Sequence, residues 1–366
     1  MRLSRTLSFY VGRQFFASFL MLFVLFVGLI LLFDTVELLR RAASKPDVTI
    51  SIILEMSLLK LPRMAGQLFP FAVLFGGMMT FWRLTRSHEL VVSRAAGVSA
   101  WQFMAPVLVI AAIIGIFQVS VFNPISSVFL LRFDQLEARY LKGQTNLLAI
   151  SPTGLWLRQA NLDGQSVIHA NTVLQKAQEV ELQDVTIFAF RGADSFIERI
   201  QAKTGRLEDG FWHLKDVAIF KPEQPMQKSP QHLFETDLTV GKIQDSFAAP
   251  ETLSFWELPA FIRTLENSGF SATRHRLHWH SLLAAPLLFC AMVLIAATFT
   301  LRHARRGGML FVISGGVMTG FLLFFFSDLV FALGLSDSIP VILAAWSPSG
   351  VSTLLGLAML LHLEDG

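Results

Sequence analysis

The most clearly sorted polar residues of the sequence lie in a short charged segment, residues 83–97, which reads RLTRSHELVVSRAAG. The spacing of its apolar residues predicts a helix over about 85–96, with Gly97 as the residue that ends it. One face of this helix would carry Arg86, Glu89, Ser93 and Ala96. A carboxylate among small side chains suits a charge-assisted contact with a basic residue of another protein. A loop that is only solvated would explain why the segment is charged, but not why these residues share one face of a helix. The pattern therefore favours docking of this face on another protein.

A second candidate site is the basic pair Arg40 and Arg41, which follows the first long apolar run. The planar guanidinium group offers a fork of donors that matches the oxygens of a phosphate or carboxylate, so the pair could clamp an anionic lipid headgroup. It could equally be two interfacial side chains that reach towards water and are neutralised by Asp34 and Glu37. Both interpretations stay open on the sequence alone.

Long runs without a formal charge separate these polar segments. The chain is 53% hydrophobic and 16% charged, whereas ordinary globular domains contain about 25% charged residues. A helix needs about 20 apolar residues to cross a bilayer. Six runs have about that length: 14–33, 64–82, 103–122, 281–301, 307–327 and 338–361. The sequence therefore predicts an α-helical polytopic membrane protein with six transmembrane helices.

The arginines predict the orientation of these helices. They cluster in the N-terminal tail, after the second run and after the fourth run: Arg2, Arg5, Arg13, Arg83, Arg86, Arg94, Arg302, Arg305 and Arg306. By the positive-inside rule these segments face the cytoplasm, which also places both termini there. The first run is too long for the apolar core of a signal peptide, so we expect it to remain as a helix.

A region of different character, residues 123–275, lies between the third and fourth runs. Apolar and polar residues alternate with period two, as in GLWLRQA and EVELQDVTIFAF, and Asp209-Gly210 is a good hairpin turn. The pattern predicts an inserted all-β, jelly-roll-like domain on the periplasmic side, flanked by connector helices at 126–143 and 253–269. The predicted domains are 1–122 (transmembrane helices one to three), 123–275 (the β domain with its connectors) and 276–366 (helices four to six).

Several functions are disfavoured by what the sequence lacks. The single cysteine, Cys290, excludes an intrachain disulfide framework, and no G-x-x-x-x-G-K-[ST] phosphate loop occurs. No serine, histidine and acid combination stands out as catalytic, and no metal site is predicted. We expect a chain without enzyme activity, without a cofactor of its own and without a nucleic-acid partner.

The layout of three helices, β domain and three helices, together with the segment RSHELVVSRAAG, resembles the LptF/LptG permease family of the lipopolysaccharide exporter. The passage DLVFALGLSDSIPVILAAWSPS, residues 328–349, resembles the LptG branch of that family. The resemblance covers essentially the whole chain.

The resemblance implies a subunit of the bacterial inner membrane that extracts lipopolysaccharide and passes it to a periplasmic bridge. It implies pairing with the sister permease LptF and with two copies of the ATPase LptB, which would hold ATP and Mg²⁺. It also implies contact of the β domain with LptC and the bridge. The alternative is a mechanotransmitting permease-like subunit that signals without moving lipid. Such subunits usually carry their external domain after the first helix, whereas three helices precede it here.

The resemblance also assigns roles to individual residues. The helix at about 85–96 corresponds to the family's coupling helix, which contacts the ATPase. Basic residues near the lipid headgroup correspond to Arg40, Arg41, Arg132 and Arg139. The lateral gate uses the first and fifth helices, which would line a lipid cavity with Phe26, Ile30, Phe33, Phe321 and Phe325.

Overall fold

The computed structural model describes most of the chain in two compact units. The first contains residues 1–141, 254–256 and 273–366, and the second contains residues 142–253 and 257–272. The described residues are 5–43, 45, 48–89, 92, 95, 99–142, 148–151, 154–161, 164–176, 179–191, 195–208, 210–222, 224–236, 248–267, 269–303 and 309–365.

Eight α-helices lie within the described residues. They are α1 (Arg5–Ala42), α2 (Ile50–Arg86), α3 (Ala100–Phe117), α4 (Asn123–Glu137), α5 (Leu258–Asn267), α6 (Thr273–His303), α7 (Met309–Leu335) and α8 (Val341–Asp365). Six spans among them are long and apolar enough to cross a membrane: α1, α2, the continuous α3–α4, α6, α7 and α8. The prediction of six transmembrane helices is confirmed.

The third span is longer than its apolar run because α3 continues into α4 through a π-helical turn, Gln118–Phe122. Pro124 has no N–H group to donate to the Ser120 carbonyl four residues earlier. That carbonyl instead accepts a hydrogen bond of 3.2 Å from the indole Nε1 of Trp256. The connector helix predicted at 126–143 is therefore a continuation of the third span, followed by a second π-helical turn, Ala138–Lys142.

The core of the helical unit is formed around α2 and α6. In their most apolar parts 56% and 61% of the residues are buried, against 17% in both α1 and α7. Aromatic side chains fill this core, and the stacked rings of Phe69 and Phe289 join α2 to α6 with centroids 6.1 Å apart. In contrast, α1 and α7 bury one side and leave an apolar surface that lipid or another chain must cover.

Close packing of α3 on α6 depends on Gly115. A Cβ atom at this position would lie 2.5 Å from Cα of Pro286, so the two backbones would have to separate. We expect Gly115→Ala to destabilise the helical unit by about 1–3 kcal/mol, the usual effect of overpacking. The measurement is the thermal unfolding midpoint of the purified protein in detergent. Gly350→Ala is the control, because its added Cβ would have no heavy atom within 4 Å apart from its own stretch of helix backbone. An equal loss in both variants would contradict the packing argument.

The second unit contains one antiparallel sheet in which the described strands pair in chain order. The strands are β1 (Leu148–Ser151), β2 (Gly154–Asn161), β3 (Gly164–Lys176), β4 (Glu179–Arg191), β5 (Ser195–Glu208), β6 (Phe211–Phe220) and β7 (Gln227–Glu235). The prediction of an inserted β domain is confirmed. Its described strands form a meander, whereas a jelly roll would make hydrogen-bonded neighbours of strands that are distant along the chain.

The meander curls so that β2 and the end of β7 meet. The amide of Gln159 donates to the Glu235 carbonyl at 3.2 Å and accepts from the Thr236 hydroxyl at 2.6 Å. One face of the curled sheet is buried, with residues such as Leu157, Ile187 and Trp212 at its centre. The predicted connector at 253–269 contains α5, which buries Leu258, Ile262 and Leu265 on one side.

Candidate functional site

The first candidate site is the basic pair at the C-terminal end of α1. Arg40 binds both carboxylate oxygens of Glu37, with Nε–Oε2 and Nη2–Oε1 distances of 2.9 Å. Arg41 Nε binds the same Glu37 through Oε1 at 2.8 Å. The arginine side chains are nevertheless 77% and 51% exposed. Arg41 Nη1 also lies 3.9 Å from Glu137 Oε1, so two guanidinium groups meet two carboxylates. These contacts still leave unused N–H donors on both exposed arginines.

Asp34 is not part of this cluster, which corrects the suggestion that it helps to neutralise the arginine pair. Its buried carboxylate pairs with Lys60 of α2, with Nζ and Oδ1 2.5 Å apart. The hydroxyl group of the next residue, Thr35, forms a hydrogen bond of 2.9 Å with that of Ser57, one turn before Lys60 on α2. These contacts fix α1 to α2 just before the exposed arginines. Sequence reasoning missed Lys60 because its partner lies 26 positions away.

The predicted headgroup residues Arg132 and Arg139 are exposed on α4 and on the π-helical turn that follows it. Arg41 reaches α4 through Glu137, with Nη1 and Oε1 3.9 Å apart. The ends of α1, α2 and α4 also share a small buried cluster: Leu38, Ala42, Ile53, Met56, Leu130 and Phe133. The structure thus brings the arginine pair to the end of α4. Arg139 itself lies over the ring of its neighbour Tyr140, 5.4 Å from the centroid.

The five predicted cavity residues divide into two kinds. Phe26 and Ile30 are half-buried against the bundle, and the Phe26 ring meets Phe75 of α2 edge-on at 6.1 Å. Phe33 on α1 and Phe321 and Phe325 on α7 are exposed. In this single chain they belong to two open apolar surfaces, one on each peripheral helix.

The second candidate site is the connection between α2 and α3. Arg86 is the last residue of α2 and stacks over Trp82, with its Cζ atom 5.2 Å from the ring centroid. His88 then takes a left-handed conformation, φ 60°, which turns the chain out of α2. Glu89, Val92 and Ala95 are helical. Ser93 and Ala96, the other two predicted docking residues, lie outside the described residues.

Glu89 has partners within the chain that the sequence did not reveal. Its Oε1 atom accepts hydrogen bonds from the Ser87 hydroxyl at 2.8 Å and from the Tyr10 hydroxyl at 3.4 Å. Tyr10 lies near the start of α1, so this contact joins α1 to the turn after α2. Val92 follows one helical turn after Glu89 and is exposed. The carboxylate of Glu89 is positioned by these two hydroxyl groups, and Val92 beside it is exposed. An acidic group next to an exposed apolar side chain is suited to docking on another protein.

One of the two sites has groups that can bind a ligand, and the other links α1 to the connection between α2 and α3. At one end of α1 the exposed guanidinium groups of Arg40 and Arg41 can bind phosphate or carboxylate groups, and the apolar surfaces of α1 and α7 can cover hydrocarbon. At the other end, Tyr10 and Glu89 connect α1 to the helical turn between α2 and α3. Among the described residues, no group of three histidine, cysteine or acidic side chains could hold a metal ion.

Comparison with known proteins identifies the family. The family model described as lipopolysaccharide export system permease LptF/LptG matches residues 9–362. The lipopolysaccharide export system permease protein LptG of Escherichia coli strain K12 is 25% identical over an alignment of 359 residues, which covers 96% of this chain and 97% of the relative. The protein of the same name from Haemophilus influenzae is 24% identical over an alignment of 360 residues, which covers 94% of this chain and 95% of the relative. Because the family model spans nearly the whole chain, the chain belongs to the LptF/LptG family of lipopolysaccharide export permeases.

Proposed function

We propose that this chain is the LptG-type permease subunit that extracts lipopolysaccharide from the inner membrane and passes it to a periplasmic bridge. It would work as a heterodimer with LptF and be driven by two copies of the ATPase LptB. The β domain would contact LptC and the bridge. The family and the six spans indicate a multi-pass inner-membrane protein. The identity of the partners and the role of each are the proposal.

The observation that carries the substrate assignment is the combination of charge and apolar surface on α1. Lipopolysaccharide has an anionic headgroup and hydrocarbon chains, so its binding site needs both. Arg40 and Arg41 are exposed at the end of the same helix that exposes Phe33. On α7 the exposed Phe321 and Phe325 would supply the opposite wall when the partner permease closes the cavity. Arg132 and Arg139 would extend the cationic rim.

The segment around Glu89 is the proposed contact through which the ATPase drives conformational change in this chain. The chain has no phosphate loop of its own, so ATP hydrolysis must reach it through a contact with another subunit. A helix between α2 and α3 would transmit a push to both spans. The hydrogen bond from Tyr10 to Glu89 would also carry that movement to α1, which holds the proposed lipid site.

The proposed orientation places both termini and the Glu89 segment in the cytoplasm, and the β domain in the periplasm. We expect an impermeant maleimide to label Gln224→Cys from outside and not Arg305→Cys, both made in a Cys290→Ala background. The reason is that Gln224 is exposed in the turn between β6 and β7, whereas Arg305 belongs to a basic cluster expected inside. The reverse labelling pattern would overturn the orientation.

The test of the function as a whole is co-purification followed by mass spectrometry of bound proteins and bound lipid. We expect an LptF-type permease, an LptB-type ATPase and lipopolysaccharide in the purified complex. Recovery of the ATPase without lipopolysaccharide would instead support a subunit that transmits a signal without moving lipid.

A further inference from the structure

The outward face of the β sheet has a feature that export does not require. In each of the four neighbouring strands β3 to β6, the alternation of inward and outward side chains is interrupted by one residue. The interruptions lie at the same level of the sheet. Two consecutive residues there face away from the buried side: Asn171–Thr172, Gln183–Asp184, Lys203–Thr204 and Lys215–Asp216. The pairing skips at the same level, from Ala202↔Val217 to Thr204↔Lys215 for example. One residue of each strand is left unpaired there while the register on either side is unchanged, and we call this irregularity the bend.

Two aspartates occupy the strained positions of this bend. Asp184 and Asp216 have φ angles of 53° and 55°, in the left-handed region that few residues other than glycine adopt. Both side chains are exposed, as is that of Lys203 on the strand between them. No ion pair within the described part of the chain neutralises these three groups. Their polar atoms are therefore available to a ligand.

An open groove of about 520 Å³ lies at the bend, and its volume is within the range of small-ligand sites. Its polar lining includes His169, Asn171, Asp184, Gln201, Lys203 and Asp216. Carboxylate and amide groups are planar and can each make two parallel hydrogen bonds. We call this feature the Asp184–Asp216 groove.

An exposed aromatic side chain extends the groove on one side. Trp156 of β2 is directly opposite His169 of β3, and the two ring centroids are 4.2 Å apart. The same row of the sheet continues through Thr186 and Gln201, so the indole and the groove share one face. An indole ring that stays 38% exposed beside a polar groove offers an apolar platform next to hydrogen-bonding groups.

We propose that the Asp184–Asp216 groove and Trp156 form a binding site for a neutral sugar chain of hexoses or N-acetylhexosamines. A pyranose ring presents an apolar C–H face that suits the indole, and neighbouring hydroxyl groups that suit planar carboxylates and amides. Two carboxylates face one ammonium group, so a polyphosphate ligand would meet net negative charge. The inference does not depend on the proposed transport function, because sugar chains occur in lipopolysaccharide and in the cell wall alike.

The test is a calorimetric titration of the full-length protein in nanodiscs with two probes. One is the core oligosaccharide of lipopolysaccharide with its phosphates and acidic sugars removed, and the other is the tetrasaccharide of N-acetylglucosamine, which represents the peptidoglycan backbone without its lactyl carboxylates. We expect one of them to bind, and its identity distinguishes the two sources. We expect Trp156→Ala, and separately Asp184→Gly with Asp216→Gly, to weaken binding by about tenfold or more. Glycine keeps the left-handed backbone while removing the carboxylate.

Matched controls separate loss of the site from damage to the fold. Phe196→Ala removes an aromatic side chain of the same sheet that is 43% exposed, similar to Trp156. Asp337→Gly makes the same replacement at a φ of 55° in the helical unit. Both should bind like the unmodified protein. The proposal is overturned if neither probe binds, if the groove variants bind normally, or if retaining the phosphates on the core oligosaccharide tightens binding.

Discussion

The Glu89→Lys variant is expected to insert into the membrane normally but to lose most ATPase recruitment and lipid export. Loss of one member of a shielded charge pair costs about 2–5 kcal/mol in related interfaces, and a lysine adds repulsion to the partner's basic residue. Glu89→Gln should be milder because the amide keeps the shape and can still accept a hydrogen bond. The measurement is co-purification of the ATPase from detergent extracts, followed by its ATP hydrolysis rate in proteoliposomes.

The contacts of Glu89 within the chain provide the control. Ser87→Ala with Tyr10→Phe removes both hydroxyl groups that donate to Glu89 and leaves the carboxylate in place. If Glu89 acts on the partner, this double variant should still recruit the ATPase. If the double variant fails as badly as Glu89→Lys, the carboxylate serves the turn between α2 and α3, and the docking assignment is wrong.

The second large effect is expected from replacing both Arg40 and Arg41 by alanine. We expect lipopolysaccharide crosslinking to fall by about tenfold or more, because two bidentate donors near the phosphate groups are lost. Export should fall with it, and cells that depend on this protein should become sensitive to large hydrophobic antibiotics. Replacement of both by lysine should be milder, since the charge remains while the planar fork is lost.

Glu37 distinguishes a lipid clamp from a surface ion cluster. It binds both arginines, so Glu37→Gln should free Arg40, leave Arg41 with Glu137 alone and strengthen lipid crosslinking. If the arginines only reach out of the membrane, neither Glu37→Gln nor the double alanine variant should change crosslinking. Normal crosslinking by a stably inserted double alanine variant would therefore rule out the clamp.

The membrane architecture was predictable because it depends on local properties. The length of each apolar run is enough to recognise a spanning helix, and period-two alternation is enough to recognise strands. The order of the strands was harder to predict, because one amino-acid sequence does not show which strands pair. The bend at Asp184 and Asp216 did leave a signal: the segments LQDV, at 182–185, and LKDV, at 214–217, each place two polar residues between inward apolar ones.

The candidate sites depend on contacts between distant residues, and there sequence reasoning was incomplete. It selected Glu89, Arg40 and Arg41 from residue type and helical spacing, and their roles stay predictions. It could not find Lys60 as the partner of Asp34, nor Tyr10 as a partner of Glu89, 79 positions away. Such pairs form only when spans pack together, and nothing in the periodicity of one helix identifies its neighbour's side chains.

The central claim is that lipopolysaccharide occupies the space between α1 and α7. Site-specific photocrosslinking at Phe33, Phe325 and Leu354 tests it directly, because these side chains are 70%, 60% and 67% exposed on α1, α7 and α8. Its similar exposure makes Leu354 the control for bulk membrane lipid. We expect lipopolysaccharide adducts at Phe33 and Phe325 that depend on the partner permease, and few at Leu354. Equal crosslinking at all three positions, or at none, would contradict the account.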